Sequence, residues 1–294
     1  MIRRAMCGVL LGLIFAGCSE RTSTLRVCAD PNNLPFSNEQ GQGFENRLAE
    51  MIAEDQGAPL EYTWWAQRRG FVRNTLRAGA CDVLMGVPAD FELARTTKPY
   101  YRSTYVFVSR EDRGLRLQSL DDDRLRQLRI GVQMIGDDFS NSPPAHALSA
   151  RGIIQNVVGY SVFGDYTQPN PPARIVEAVA AGNIDAALVW GPLAGYFAPR
   201  QSAPLIIAPI PPESDSASRP FAFDIAMGVR RGDDERLGML EDFIERRRAE
   251  IDRLLDEFGV PRVEGVESRV VPARVESRRR PGASPLESAS PPGS

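Results

Sequence analysis

Histidine and lysine are almost missing from this 294-residue chain, which has His146 and Lys98 and no other residue of either type. With one imidazole, and four cysteines that form no Cys/His group of zinc-like spacing, metal-dependent and histidine-dependent catalysis have little to build on. No catalytic residue, metal site or cofactor is expected. An excess of positive charge is missing too: 35 Lys and Arg face 38 Asp and Glu, a formal charge of −3. A mildly acidic surface argues against nucleic acid as a partner.

What is present begins with the leader. MIRRAMCGVLLGLIFAGCSE sets Arg3 and Arg4 ahead of an apolar run of about ten residues and a small-residue stretch that ends at Cys18. That order is the plan of a secretory signal, and the run is too short to cross a bilayer as a mature helix. Phe15-Ala16-Gly17-Cys18 also resembles a bacterial lipobox, in which the cysteine becomes the lipidated first residue; ordinary cleavage nearby is the plainer alternative. Residues 1–18 are therefore expected to be a signal peptide with a lipobox, and the lipid on Cys18, if it is acylated, the only tie to a membrane. Losing Arg3 and Arg4 takes the charge from −3 to about −5. Cys18, Cys28 and Cys81 remain, and acylation of Cys18 would leave the other two as a pair in an oxidising compartment.

Periodicity gives the architecture. Leu25–Ala29 and Leu60–Trp64 read as strands, Phe44 to Asp55 and Gly70 to Ala78 as helices, and Cys81 to Gly86 as a third, buried strand. The β-α-β-α-β order builds a parallel sheet with right-handed crossovers. After Tyr100–Ser109 the same logic repeats, with strands at Leu128–Gln133, Val157–Phe163 and Ile184–Trp190 and helices at Pro144–Arg151 and Pro172–Ala181. Phe221–Arg230 is a further strand, and Asp234–Phe258 an amphipathic helix or two with Leu237, Leu240, Phe243 and Ile244 on one stripe. A chain that leaves one lobe and returns to it crosses twice, near 106–110 and 217–222, and two such strands make a hinge. Residues 24–108 and 221–261 are assigned to lobe 1 and 109–220 to lobe 2. From 262 to 294, Pro, Ser, Gly, Arg and Glu dominate, a composition too polar to offset its ordering entropy, so a disordered tail is expected.

Several stretches carry a resemblance. Ala29-Asp30…Pro35-Phe36, Leu76-Arg-Ala-Gly-Ala-Cys-Asp82, Lys98-Pro-Tyr-Tyr101 and Ala181-Gly-Asn-Ile-Asp185 resemble type II periplasmic solute-binding proteins. The runs Cys28–Asn38, Thr63–Thr75, Pro99–Phe107 and Val189–Tyr196 are similar, more closely, to the MxaJ/XoxJ proteins encoded beside periplasmic quinoprotein methanol dehydrogenases, over roughly residues 25–261. The resemblance implies an α/β fold of the periplasmic binding protein type II kind: two lobes, each a mostly parallel sheet flanked by helices, joined by a two-strand hinge. It also implies a Cys28–Cys81 disulfide, since the first and third strands are neighbours in sheets of this family.

Departures from the solute-binding pattern bear on the ligand. Where amino-acid-binding relatives carry an Arg for the ligand carboxylate, counting back from Pro99 gives Asp90. Where they carry an Asp for the ammonium, Asp185 plus five gives Trp190, and their Gly-Thr is replaced by Gly136-Asp137-Asp138. An α-amino acid has no evident anchor. Asp30, Asn32, Phe36, Tyr100, Tyr101, Gln133, Asp137, Asp138, Trp190 and Tyr196 are the candidate residues for a cleft or partner site. Trp64, Trp65, Arg68 and Arg69 are the candidate docking patch, being of the types enriched in binding hot spots. Asp30, Asp137, Asp138, Asp165 and Asp224 offer hard-cation ligands, but their spacing matches no coordination loop. The resemblance implies a non-catalytic periplasmic accessory that associates with a pyrroloquinoline-quinone (PQQ)-dependent methanol dehydrogenase and supports its maturation or activation. The alternative is the substrate-binding component of an ABC transporter for a small solute other than an α-amino acid.

Overall fold

The structure, a computed structural model, describes residues 24–134, 141–162, 166–211 and 220–263. The expected signal peptide with Cys18, and Asp137, Asp138 and Asp165, lie outside these residues, as does the expected tail beyond Val263. In chain order, the first part holds β1 (Leu25–Ala29), β2 (Asn32–Asn33), β3 (Ser37–Asn38), α1 (Phe44–Gln56), β4 (Leu60–Trp64), α2 (Phe71–Asn74), β5 (Val83–Pro88), β6 (Arg95–Thr96) and β7 (Tyr101–Arg110). The second holds β8 (Ile130–Met134), α3 (Pro143–Ala150), β9 (Val157–Ser161), α4 (Arg174–Ala180), β10 (Ala186–Trp190), α5 (Gly191–Phe197) and β11 (Leu205–Pro209). β12 (Ala222–Val229), α6 (Asp234–Arg246) and α7 (Arg248–Glu257) follow.

The repeat heard in the sequence is a repeat of topology. β4-β1-β5 and β9-β8-β10 are both all-parallel trios in second-first-third order. β12 and β7 join them antiparallel, so each sheet is mixed rather than mostly parallel. β7 belongs to both sheets: Tyr101–Thr104 pair with β12, Tyr105–Ser109 with β10, and Val106–Arg110 with β11. The change of partner falls between Thr104 and Tyr105, ahead of the 106–110 expected. Arg102 and Asp224, cross-strand neighbours on β7 and β12, form an ion pair at 2.7 Å.

Local chemistry decides the boundaries. α1 starts at Gly43, where Asn46 Oδ1 accepts from the N–H groups of Gly43 (3.1 Å) and Asn38 (3.0 Å), and stops at Gly57 in the left-handed region. α2 is four residues long instead of the nine expected from Gly70 to Ala78. Thr75 Oγ1 donates back to the Phe71 carbonyl at 2.7 Å, a side-chain bond that competes with continued helix, and Gly79 turns the chain at φ 73°. β5 begins at Val83, two residues late, because Asp82 is turned to the guanidiniums of Arg26 and Arg230. Arg262 and Val263, assigned to the tail, are held instead: Arg262 pairs with Asp252 at 2.7 Å, and Val263 N–H donates to Arg102 O.

Burial follows the periodicity. Phe44, Leu48 and Ile52 of α1 meet Leu240, Phe243 and Leu255 of α6 and α7 in one core, and the second sheet is covered on both faces by two more. A smaller cluster surrounds Cys28 and Cys81, whose sulfurs are bonded with Cα atoms 5.4 Å apart, the disulfide expected. α5 lies directly on the segment after α7, which Gly195 permits. A Cβ there would sit 1.8 Å from the Gly259 carbonyl oxygen.

Candidate functional site

The carboxyl ends of the parallel strands in both trios look onto one crevice, the general position of ligands in open α/β sheets. A cavity of about 460 Å³ occupies it, floored by the shared strands β7 and β12. Trp190, at the end of β10, stands edge-on between Tyr105 (5.3 Å between ring centres) and Phe223 (5.8 Å). Gln133, at the end of β8, fixes it by accepting from Trp190 N–H at 2.7 Å. From the other lobe come Tyr101, Phe36 and Glu45, with Phe44 packed edge-on against both Phe36 and Tyr101.

Glu45 is the residue that sequence reasoning missed. It lies in the first turn of α1 beside Gly86 in β5, close enough that a Cβ on Gly86 would be 2.2 Å from its Oε1. Its carboxyl has no hydrogen-bond or ion-pair partner among the described residues, and burial pushes its pKa up to about 8. A glycine inside an otherwise bulky buried strand was the available signal, since such a residue marks a close approach.

A second hollow, of about 1100 Å³, adjoins the cleft and shares Glu45, Gln67 and Gly86 with it. Exposed Arg68, Arg69, Arg73 and Arg77 border it, carried by the β4–α2 connection, α2 itself and the turns after it, next to the disulfide. Trp65 is 42% exposed beside this rim. Trp64 is turned inward and stacked on Tyr62 at 4.6 Å, so Trp65 and not Trp64 faces out, as alternation along a strand requires for one of the pair.

Other candidates have structural occupations. Asp30 is buried and accepts from the N–H groups of Asn32 (2.8 Å) and Gln67 (2.6 Å) and from the Tyr166 hydroxyl (2.9 Å). Asn32 donates to Gln168 O and accepts from Asn170 N–H, so the 30–33 loop and the 166–170 loop meet at the mouth. Burial, then the charge and bond of Asp30, raise the Tyr166 phenol's pKa. Tyr100 and Tyr196 are corrections. Tyr100 sits in the bend before β7 with its hydroxyl donating to Met85 O at 2.9 Å, wholly inside the core. Tyr196 stacks on Phe258 at 5.7 Å under the Arg200 guanidinium and does not line the cleft. Among the described residues no three His, Cys, Asp or Glu side chains converge on a metal position.

This geometry is that of a periplasmic binding protein, two lobes about a shared strand pair with a crevice between them, and the comparisons agree. The solved structure of XoxJ from Methylobacterium extorquens AM1, described as a periplasmic binding protein, matches with a TM-score of 0.68 at 32% identity, over 82% of this chain and 100% of that one. Protein MoxJ of Methylorubrum extorquens is 34% identical over 250 residues, 81% of each chain, and MoxJ of Paracoccus denitrificans 34% over 258 residues, 82% of this chain and 89% of its own. No protein-family model matches. The chain belongs to the MoxJ/XoxJ family.

Proposed function

We propose that the protein is an exported, non-catalytic accessory of a periplasmic PQQ-dependent methanol dehydrogenase, docking through the face formed by Trp65 and the arginines bordering the larger hollow. The observation that carries this reading is kinship to MoxJ and XoxJ along four-fifths of the chain, joined to a cluster of exposed cations that the protein's own acids leave largely uncompensated. Arg68, Arg73 and Arg77 have no ion-pair partner among the described residues. An acidic patch on the partner suits them, and an exposed indole beside guanidiniums is hot-spot chemistry. The residues Trp65, Arg68 and Arg73 supply the test. Replacing all three by Ala is expected to weaken binding to the dehydrogenase about thirtyfold, with a melting temperature within about 2 °C of the parent. The affinity of the parent should fall as salt rises. Unchanged affinity in surface plasmon resonance would remove the patch from the interface.

A second reading, a transporter's solute-binding component, is favoured by the aromatic-lined cleft. The cleft still excludes α-amino acids. Asp90, in the clamp's place, is exposed and outside the cavity lining, and Arg95 is ion-paired with Asp234 at 3.4 Å on β6. No Arg or Lys is among the described residues lining the cleft, so a ligand carboxylate would meet Glu45 and no cation. In a thermal-shift panel at millimolar concentration no common amino acid should raise the melting temperature; a true ligand at a hundred times its Kd would add about 2.7 kcal/mol. A reproducible rise with any of them would return the protein to the amino-acid binders.

A further inference from the structure

We infer that the interlobe cleft binds a small organic cation, held between the Glu45 carboxylate and the aromatic faces of Tyr101, Tyr105, Trp190 and Phe223. This goes beyond the accessory reading, which neither needs nor forbids an occupied cleft.

Three observations converge on it. Glu45 is the only ionisable acid or base among the described residues that line the cavity apart from the tyrosines, and its ionised form, which a bound cation would stabilise, makes the field inside favour positive charge. Its carboxyl is unpartnered although it lies between a helix and a strand, and the wall opposite it is Gly86, which offers no side chain. Lining the same cavity are four rings with fixed relations: Trp190 is edge-on to Tyr105 and Phe223, and Tyr101 is braced by Phe44. A ring face attracts a cation through its quadrupole, and several faces about one desolvated charge form a cage for ammonium groups. The polar groups nearby are already engaged with the protein. Gln133 Oε1 accepts from Trp190 N–H, and Gln67 Oε1 accepts from Asn33 Nδ2. That leaves the carboxylate as the one free anionic acceptor among the described residues of the lining, beside the Tyr101 and Tyr105 hydroxyls. The volume, about 460 Å³, falls within the roughly 300–1,000 Å³ of small-molecule sites.

The test is isothermal titration calorimetry of the mature chain at about pH 8.5–9, where the Glu45 carboxyl is ionised, with choline and tetramethylammonium, set against 3,3-dimethyl-1-butanol, the uncharged isostere of choline. Both cations should bind with Kd below about 1 mM, at least about tenfold more tightly than the alcohol. Glu45→Gln, which keeps shape and removes charge, should cost about tenfold or more while leaving the circular dichroism unchanged, and Trp190→Ala should do the same. If Trp190→Ala unfolds, Glu45→Gln decides. No binding by about 10 mM, equal affinity for the alcohol, or indifference to Glu45→Gln would each overturn the inference. Dehydrogenase binding is read in a separate assay with substitutions at Trp65, Arg68 and Arg73, none of which lines the cleft, so failure here leaves the docking proposal standing, and failure there leaves this one.

Discussion

Reduction of the Cys28–Cys81 bond is expected to lower the melting temperature by about 8–16 °C, far more than any surface change in this protein. The two cysteines are 53 residues apart, and closing a loop of that length removes enough unfolded-state entropy to stabilise the fold by about 4 kcal/mol in the chain-entropy relation. For a chain of this size each kcal/mol moves the midpoint by about 2–4 °C. The location adds to the effect. Phe71, Val72 and Leu76 close over the sulfurs in a cluster of their own, so the bond pins the short α2 and the turns after it to β1. Arg73 and Arg77 ride on that segment, and reduction should weaken dehydrogenase binding as well as stability. Comparing oxidised protein with reduced and alkylated protein by calorimetry reads the first effect, and a Cys28→Ala/Cys81→Ala double variant controls for the bulk of the alkylating group. Two free thiols in the oxidised, denatured chain, or a shift under about 2 °C, would show that the bond contributes nothing.

Most of the architecture was legible because it rests on local rules. Apolar residues at helical spacing in Phe44–Asp55 and Asp234–Phe258, and short buried runs between them, define elements whatever their neighbours are. What was not legible depends on which side of an element meets which partner. Tyr100 and Tyr101 are adjacent and of one type, yet one is sealed in the core with its hydroxyl on Met85 O and the other lines the cleft. Trp64 and Trp65 divide between inside and outside in the same way. The cleft itself draws Glu45, Tyr105, Gln133, Trp190 and Phe223 from elements far apart in sequence, and it depends on β7 changing partner at Thr104, which no periodicity announces. The absent amino-acid clamp could be read from spacing because it is a property of single positions. The lone acid that replaces it as the cleft's charge could not.

Glu45→Gln is expected to stabilise the protein, by an amount that grows with pH. In the unfolded chain the carboxyl titrates near its usual 4.5; in the folded protein burial raises this to about 8. The folded state therefore holds one more proton between these values, and stability must fall as pH rises through that window, by at most about 5 kcal/mol and by less for a side chain that is only half-buried. Below pH 4.5 the side chain is neutral in both states and the penalty vanishes. Its titratable neighbours do not alter the sign. Tyr62, Tyr100 and Tyr101 have pKa values raised by burial and, to a lesser degree, by Glu45 itself, so they stay neutral across the window. Asp30 and the exposed guanidiniums of Arg68, Arg69, Arg73 and Arg77 border the adjoining hollow and are unchanged between the two proteins. Asp55 and Asp82, whose pKa values are lowered in the folded state, weaken the protein on acidification in parent and variant alike, and cancel in the difference. Allowing for residual hydration of the cavity, the variant should melt about 5–10 °C above the parent at pH 8.5 and within about 1–2 °C of it at pH 4. A difference that stays flat from pH 4 to pH 9, or favours the parent at high pH, would mean that the Glu45 carboxylate is paired with a cation and already ionised at neutrality. The cleft would then lack the unpartnered carboxyl on which cation binding depends.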